Sequence, residues 1–437
     1  MDFAAQLKVA FQQKRAKVGV VGLGYVGLPM AQLAAESGFH VTGVDVNPDR
    51  VQQVNRGESY ILDVPTTVLK PLVEQGLIKA TTDHSSMADV DVVLITVPTP
   101  LNKTGDPDMG YVVAALDSLK PHLHQGMLIA LESTTYPGTT VDLFQPAVRE
   151  AGFTEGGDIF IAFSPERVDP GNPTYGTKNT PKVVGGLTSA GTEVAVAYYR
   201  EVVDRVVPVS SATAAEMVKI YENTFRAINI GLVNELAIIC NLLGLDVWEI
   251  VEAAGTKPFG FMPFYPGPGL GGHCIPVDPG YLAWRMRTLK YKTRFIELAT
   301  EVNSKMPEWV VTRVMEMLND AGKAIRNSNI LLLGVSYKND INDLRESPAI
   351  DVYELLQHRG ANVRYHDPYC PTMQVDHGMA ESVTLNATTL RKQDLVLITT
   401  GHRKLVDYAL VLQKAALIFD TRNVTRGMKG KARVIYL

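Results

Sequence analysis

Val18-Gly-Val-Val-Gly-Leu-Gly-Tyr-Val-Gly27 decides the fold. A short β-rich run, Val18 to Val21, enters three glycines spaced Gly-x-Gly-x-x-Gly (Gly22, Gly24, Gly27). A helical stretch follows from Leu28 to Ser37, and a second strand from His40 to Val46 passes through Asp45. Strand, glycine turn, helix and strand make one right-handed βαβ unit. In that setting the glycines divide the labour. Gly22 makes the tight turn, Gly24 lets a pyrophosphate approach the backbone, and Gly27 lets helix and strand pack closely. Tyr25 and Val26 fall at the helix N-terminus where the pyrophosphate is expected. Asp45 is placed to accept hydrogen bonds from the adenosine ribose. A carboxylate there repels a 2′-phosphate, which favours NAD over NADP, although a nearby Arg50 can serve either cofactor.

Outward from this unit, apolar runs at Val90 to Val97, Met127 to Glu132 and Ile159 to Phe163 extend the sheet, with helical stretches between them. This first region reaches residue 209. Ser210 to Leu245 contains no proline and repeats its apolar residues at helical spacing, so it reads as one long helix capped by Ser210 or Ser211 and ended near Gly244. Further helices at Val247 to Ala254 and Thr293 to Ala321 flank the Pro- and Gly-rich stretch Lys257 to Gly280, a connection too long to be only a connection. This helical region, 210–325, gives way to a second alternation of strand and helix over 326–437, with strands at Ile330 to Leu333, Asn362 to His366, Asp394 to Thr399 and Ala416 to Asp420. The expected fold class is α/β: two Rossmann-like, doubly wound domains joined by a long central helix and a helical domain. Apolar residues on more than one side of the long helix suggest packing against a second copy, a homodimer or larger homo-oligomer.

Composition narrows the functions available. The 437 residues are 46% hydrophobic and 20% charged, with a net charge of −4, so no basic surface for nucleic acid is indicated. Cys240, Cys274 and Cys370 are too far apart for a disulfide framework or a zinc spacing, as suits a reducing cytoplasm. No secretory signal is evident, and apolar runs are of strand length, so no membrane span is expected.

The chemistry concentrates in a few places. Cys274 lies in Pro266-Gly-Pro-Gly-Leu-Gly-Gly-His-Cys-Ile-Pro-Val-Asp278, where glycines let a ligand come close and a helix starting near Asp278 would favour a thiolate. Such a thiol is either a nucleophile or an ordinary buried cysteine. On the long helix Glu216, Lys219, Asn223 and Arg226 share one row, which is either a solvated face or a site where Lys219 and Asn223 stabilise an oxyanion. Glu166 and Arg167, in Phe163-Ser-Pro-Glu-Arg-Val-Asp-Pro-Gly171, should reach the carboxyl edge of the sheet, where Glu166 orients water or substrate, or else forms an internal ion pair. The loops carrying Pro98 and Thr99, and Ser133 and Thr134, have the small hydroxyl residues that suit a ribose and nicotinamide, and are equally readable as strand-ending turns.

Together these segments, with Glu216-Met-Val-Lys-Ile-Tyr-Glu-Asn223, Gly334-Val-Ser-Tyr-Lys-Asn-Asp340 and Leu344-Arg-Glu-Ser347, resemble the nucleotide-sugar 6-dehydrogenases across essentially the whole chain. The resemblance implies oxidation of the C6 hydroxyl of a UDP-sugar to a carboxylate with two NAD, supplying surface polysaccharide synthesis. It implies that Cys274 attacks the C6 aldehyde, that Lys219 and Asn223 stabilise charge at C6, that Asp278 orients Lys219 or a water, and that Thr135 and Glu166 help position the water for proton transfer. It also implies that Tyr265, Gly269 and Gly271 wrap the sugar diphosphate with Glu166, Arg167 and Lys338, while Arg345 approaches the cofactor. Asn55 to Ile61, Glu132 to Gly138, Phe163 to Gly171 and the aromatic run Phe259, Phe261, Phe264 and Tyr265 look closest to the UDP-N-acetylglucosamine branch. UDP-N-acetylmannosamine, UDP-N-acetylgalactosamine and UDP-glucose are the alternatives, and a non-catalytic NAD or nucleotide-sugar binder is the alternative of another kind.

Overall fold

The structure, a computed structural model, describes residues 2–61, 63–102, 105–169, 172 and 174–437. It divides into two units: residues up to Glu222 with Gly280–Tyr291, and Asn223–Pro279 with Lys292–Leu437. The turn expected at Pro170-Gly171 lies outside the described residues.

The first unit is built on a sheet of β1 (Lys17–Val21), β2 (His40–Val44), β3 (Ile78–Thr81), β4 (Val92–Ile95), β5 (Met127–Leu131), β6 (Ile159–Phe163), β7 (Lys182–Gly186) and β8 (Val206–Pro208). Their order is β3-β2-β1-β4-β5-β6-β7-β8, and all neighbours run parallel except β6 and β7. The strand order reverses beside β1, between β2 and β4, which is where ligands bind in doubly wound sheets. Helices cover both faces, and for this reason β4 and β5 read as unbroken apolar runs whose every residue is buried. The N-terminal segment forms a helix, Phe3–Gln12, that buries Leu7 and Phe11, with Phe11 edge-on to Tyr198 at 5.6 Å.

The long helix runs from Ala212 to Leu243, and the division between units falls within it. Ser211 is its cap, accepting from the Ala214 N–H at 3.1 Å, and Gly244 follows it at φ +68°, a conformation that suits glycine at a helix end. Although no membrane span was expected, this one helix is long and apolar enough to cross a membrane by length and composition; 33% of its most apolar 18-residue stretch is buried.

The second unit contains the helices Val247–Gly255 and Arg294–Asp320 and a smaller parallel sheet. That sheet joins β9 (Asn329–Leu333), β10 (Asn362–His366), β13 (Leu395–Ile398), β14 (Leu417–Asp420) and β15 (Arg433–Tyr436) in the order β10-β9-β13-β14-β15. A hairpin, β11 (Thr372–Val375) with β12 (Gly378–Glu381), stands apart from it.

The two sheets repeat one turn. After β1, Gly22 takes φ +96°, the Thr96 hydroxyl donates to its carbonyl at 2.6 Å, and the Leu23 N–H donates to Asp45 at 2.8 Å. After β9, Gly334 takes φ +83°, the Thr399 hydroxyl donates to its carbonyl at 2.5 Å, and the Val335 N–H donates to Asp367 at 2.7 Å.

Candidate active site

In the first unit the fingerprint residues fit a dinucleotide. A Cβ on Gly27 would overlap the Gly22 carbonyl oxygen, so helix and turn meet here at a distance only glycine permits, whereas the space at Gly24 is open, as an approaching pyrophosphate requires. Tyr25 is exposed and Val26 half-buried at the start of the helix. Asp45 is buried, with Oδ2 accepting from Leu23 and Oδ1 from Asn47 at 2.9 Å, which leaves acceptor capacity for ribose hydroxyls. Arg50 stands 3.6 Å from Asp45, so the cation is matched to the carboxylate already present. The Tyr60 hydroxyl donates to the Leu23 carbonyl at 2.5 Å, and Asn55 pairs with both backbone groups of Ala80. The stretch Asn55 to Ile61 therefore braces the cofactor turn and the edge of the sheet.

At the ends of β4 and β5, Ser133 donates to the Val97 carbonyl at 2.7 Å and Tyr281 to that of Thr99 at 2.8 Å, while Pro98 is exposed and Thr134 half-buried. Thr135 is fully buried, and its hydroxyl has no hydrogen-bond partner among the described residues. The next turn is held by Glu216. Its carboxylate accepts from the N–H groups of Gly138 and Thr140 at 2.5 and 2.8 Å and from the Thr140 hydroxyl; burial pushes its carboxyl up. The row on the long helix is thus not simply a solvated face: Glu216, Lys219 and Asn223 are buried and only Arg226 is exposed.

Glu166 lies at the carboxyl edge after β6, and it also forms an internal ion pair, with Lys182 at 3.5 Å. Arg167 is committed within the protein, bidentate to Glu222 and donating to the Pro181 carbonyl at 2.7 Å. Lys182 and its second partner Glu132 were not singled out from sequence, since the two residues are 50 positions apart and neither sits in a motif for such a pair.

In the second unit Cys274 is half-buried, and the N–H groups of Val277 and Asp278 donate to its carbonyl at 3.1 and 2.8 Å as the helix Asp278–Thr288 begins. Asp278, buried, accepts from the Asn223 amide at 2.5 Å, so the carboxylate expected to orient Lys219 or a water holds Asn223. The glycine loop before Cys274 is pinned from behind: Asn234 accepts from the Gly267 N–H at 3.0 Å and donates to Asn303, which in turn donates to the Ala227 carbonyl. Gly269 takes φ +141°, and side chains on Gly271 and Gly272 would collide with Tyr337. Of the aromatic run, Tyr265 stacks on Trp248 and Phe264 packs on Phe225, while Phe259 and Phe261 are exposed.

Lys338 is half-buried on the loop after β9, its carbonyl held by the Ser336 hydroxyl at 2.8 Å, and Arg345 is exposed and bidentate to Asp343. Beneath Lys338 the buried His402 accepts the Asp340 N–H at Nδ1, so its Nε2 carries the proton and donates to Asp367 at 3.0 Å. Arg422 was not anticipated. It contacts Gly267, donates to the Thr399 carbonyl at 2.9 Å, and burial, only partly offset by Asp420, brings its pKa down to about 10.

Comparison with known proteins identifies the family. Three models of the UDP-glucose/GDP-mannose dehydrogenase family match in succession: the NAD binding domain over residues 16–203, the central domain over 213–305 and the UDP binding domain over 331–427. UDP-N-acetyl-D-mannosamine dehydrogenase of Methanococcus maripaludis is 33% identical over 420 residues, 93% of each chain. NDP-N-acetyl-D-galactosaminuronic acid dehydrogenase of Ralstonia nicotianae is 34% identical, covering 93% of this chain and 96% of its own. The structure of the UDP-D-ManNAc dehydrogenase of Pyrococcus horikoshii superposes with a TM-score of 0.88 at 31% identity, over 96% of this chain and 98% of that one. The chain belongs to the UDP-glucose/GDP-mannose dehydrogenase family and is an NAD-dependent UDP-sugar dehydrogenase.

Proposed function

We propose that the enzyme oxidises the C6 hydroxyl of UDP-N-acetylmannosamine to the carboxylate, through a thioester on Cys274. The observation that carries the reaction is the accessible thiol in a pinned glycine loop, beside the paired Asn223 and Asp278. Bound NAD supplies a hydride acceptor, held by Gly22, Gly24, Tyr25, Val26, Gly27, Asp45 and Arg50, with Pro98, Thr99, Ser133, Thr134 and Arg345 toward its nicotinamide end. Lys219 and Asn223 stabilise negative charge on the C6 oxygen. Cys274 attacks the aldehyde, Asp278 holds Asn223 in place, and Thr135 and Glu166 position the water that releases the product. Tyr265, Gly269, Gly271, Lys338 and Arg422 belong to the sugar-diphosphate side, whereas Arg167, expected there, is held by Glu222. In this reading residues 1–209 bind NAD, 210–325 carry the thiol and 326–437 bind the UDP-sugar.

The choice of epimer follows the relatives' names, several of which are UDP-N-acetyl-D-mannosamine dehydrogenases. The segments that favoured UDP-N-acetylglucosamine carry less weight, because Asn55 to Ile61 packs on the cofactor turn. With limiting donor, two NADH per UDP-N-acetylmannosamine are expected, and slower turnover of the gluco and galacto epimers, because fit in a pocket separates such analogues by only about 1–3 kcal/mol. One NADH per sugar would remove the thioester, and a preference for another donor would replace the epimer.

The assembly is part of the proposal. Tyr221, Phe225, Leu232, Ile239 and Leu243 form an exposed apolar stripe along the long helix, and we assign it to contact between two copies of the chain. Sedimentation should give a dimer or larger species that Leu232→Glu with Leu243→Glu converts to monomer. A monomeric native chain would overturn the assignment.

A further inference from the structure

After β1 only residues 22–26 precede the helix Gly27–Glu36, but after β9 residues 334–347 precede the helix Pro348–His358, and Lys338 lies among them. A loop of that length is costly to order and has to be fastened from elsewhere. Three consecutive residues beyond β13 do so. The Thr400 hydroxyl donates to the Ser336 carbonyl at 2.5 Å, the Gly401 N–H donates to Asn339 Oδ1 at 2.9 Å, and the His402 ring accepts the Asp340 N–H at Nδ1, also at 2.9 Å. Lys338 stands between these fastenings, its carbonyl held by the Ser336 hydroxyl.

The other nitrogen of His402 reaches the start of the same loop. Nε2 donates to Asp367 Oδ2 at 3.0 Å, and that oxygen also accepts from the N–H groups of Val335 and Ser336 at 2.7 and 3.2 Å. One ring therefore joins both ends of the stretch 335–340, Asp340 directly and Val335 through Asp367. The ring is 0% exposed and packs on that of Tyr369, with centroids 5.1 Å apart, whereas Lys338 is half-buried. Asp340 takes φ +60°, a left-handed conformation that costs a non-glycine residue energy, so the ring holds the loop at its least favourable backbone position.

We propose that His402 is a positioning residue for the UDP-sugar: by tying the two ends of the loop together, its ring keeps Lys338 placed for the diphosphate. This rests on the reading of Lys338 as a cation of the sugar-diphosphate side. A loop released at Asp340 would reach its binding conformation only part of the time, and apparent affinity falls by that fraction.

The test is UDP binding by calorimetry on the full-length enzyme, with NAD binding as the control. His402→Gly should weaken UDP binding by about tenfold or more and raise the KM of the UDP-sugar by the same factor, with kcat and the Kd of NAD within a few-fold of native. Imidazole, present from purification onward, should recover most of that loss in His402→Gly and change nothing in the native enzyme. Because the ring acts through Lys338, adding His402→Gly to Lys338→Ala should cost little beyond Lys338→Ala alone. A loss that imidazole leaves in place, or one that adds in full to that of Lys338→Ala, assigns the ring to the folding of the unit and overturns the proposal. Should His402→Gly fail to fold, His402→Asn, whose shorter side chain cannot span Asp340 and Asp367 together, enters the same pairing with Lys338→Ala. Additive losses or an unchanged affinity for UDP then overturn the proposal. Lys338→Ala separates the two readings. If it binds UDP as the native enzyme does, the role of Lys338 falls; if it weakens UDP binding while His402→Gly does not, only the role of His402 falls.

Discussion

Cys274→Ser is expected to lower uronate production by roughly a million-fold, the scale on which loss of a covalent nucleophile acts. The side chain is similar in size, and the half-buried position and the carbonyl contacts of residue 274 belong to the backbone and helix start, so folding should survive. Binding of the UDP-sugar, measured by calorimetry, should stay within a few-fold of the native enzyme. A hydroxyl at that place is a far weaker nucleophile than a thiolate toward the C6 aldehyde. A serine variant that still made carboxylate within tenfold of the native rate would remove the thioester from the mechanism and favour a two-electron dehydrogenase. A variant that lost sugar binding as well would instead assign the cysteine to the architecture of the loop.

The second large effect is expected at Gly27. An alanine methyl there would overlap the Gly22 carbonyl oxygen and come within 2.5 Å of the Thr96 hydroxyl, and those two groups are already hydrogen-bonded to each other at 2.6 Å. Neither is the free end of a flexible side chain, so the helix Gly27–Glu36 must move away from the turn. Overpacking of this kind costs about 1–3 kcal/mol, which, taken from the NAD complex, is about 10- to 100-fold in Kd. Gly27→Ala should therefore weaken NAD binding by that factor while leaving UDP-sugar affinity near native, and fluorescence titration with each ligand separates the two. An unchanged Kd for NAD would mean that the turn is softer than its contacts imply.

How much of this was legible beforehand depends on whether the signal is local. The fingerprint, β1, β5 and β6, the long helix with its Ser211 cap, and four strands of the second sheet stand within a residue or two of where periodicity put them, because each is specified by neighbours in sequence, whereas β15 was not anticipated. β7 was not legible: Lys-Val-Val-Gly-Gly is short, starts with a charge and ends in two glycines, and it is a strand because β6 and β8 lie on either side of it. The same limit applies to the site. Glycine turns and the cysteine loop declare themselves by composition. The environment of Glu166 comes from residues 16 to 50 positions apart, and the role of Arg422 from a contact with Gly267, and no short-range pattern encodes either. The row on the long helix was legible as a row, but its burial was not, since helical spacing says which residues share a face and not what covers it.

The repeated turn of the two sheets puts one geometry to two uses. In the first copy the aspartate keeps acceptor sites to offer a ligand; in the second, Asp367 is surrounded by the N–H groups of Val335, Ser336, Tyr369 and Cys370 and by His402. Replacing His402 alone would leave that carboxylate buried with one donor fewer, an unfavourable state that still presents nothing to a ribose. The second turn therefore cannot offer its aspartate to a ribose through loss of His402 alone, because the four N–H donors around Asp367 stay in place.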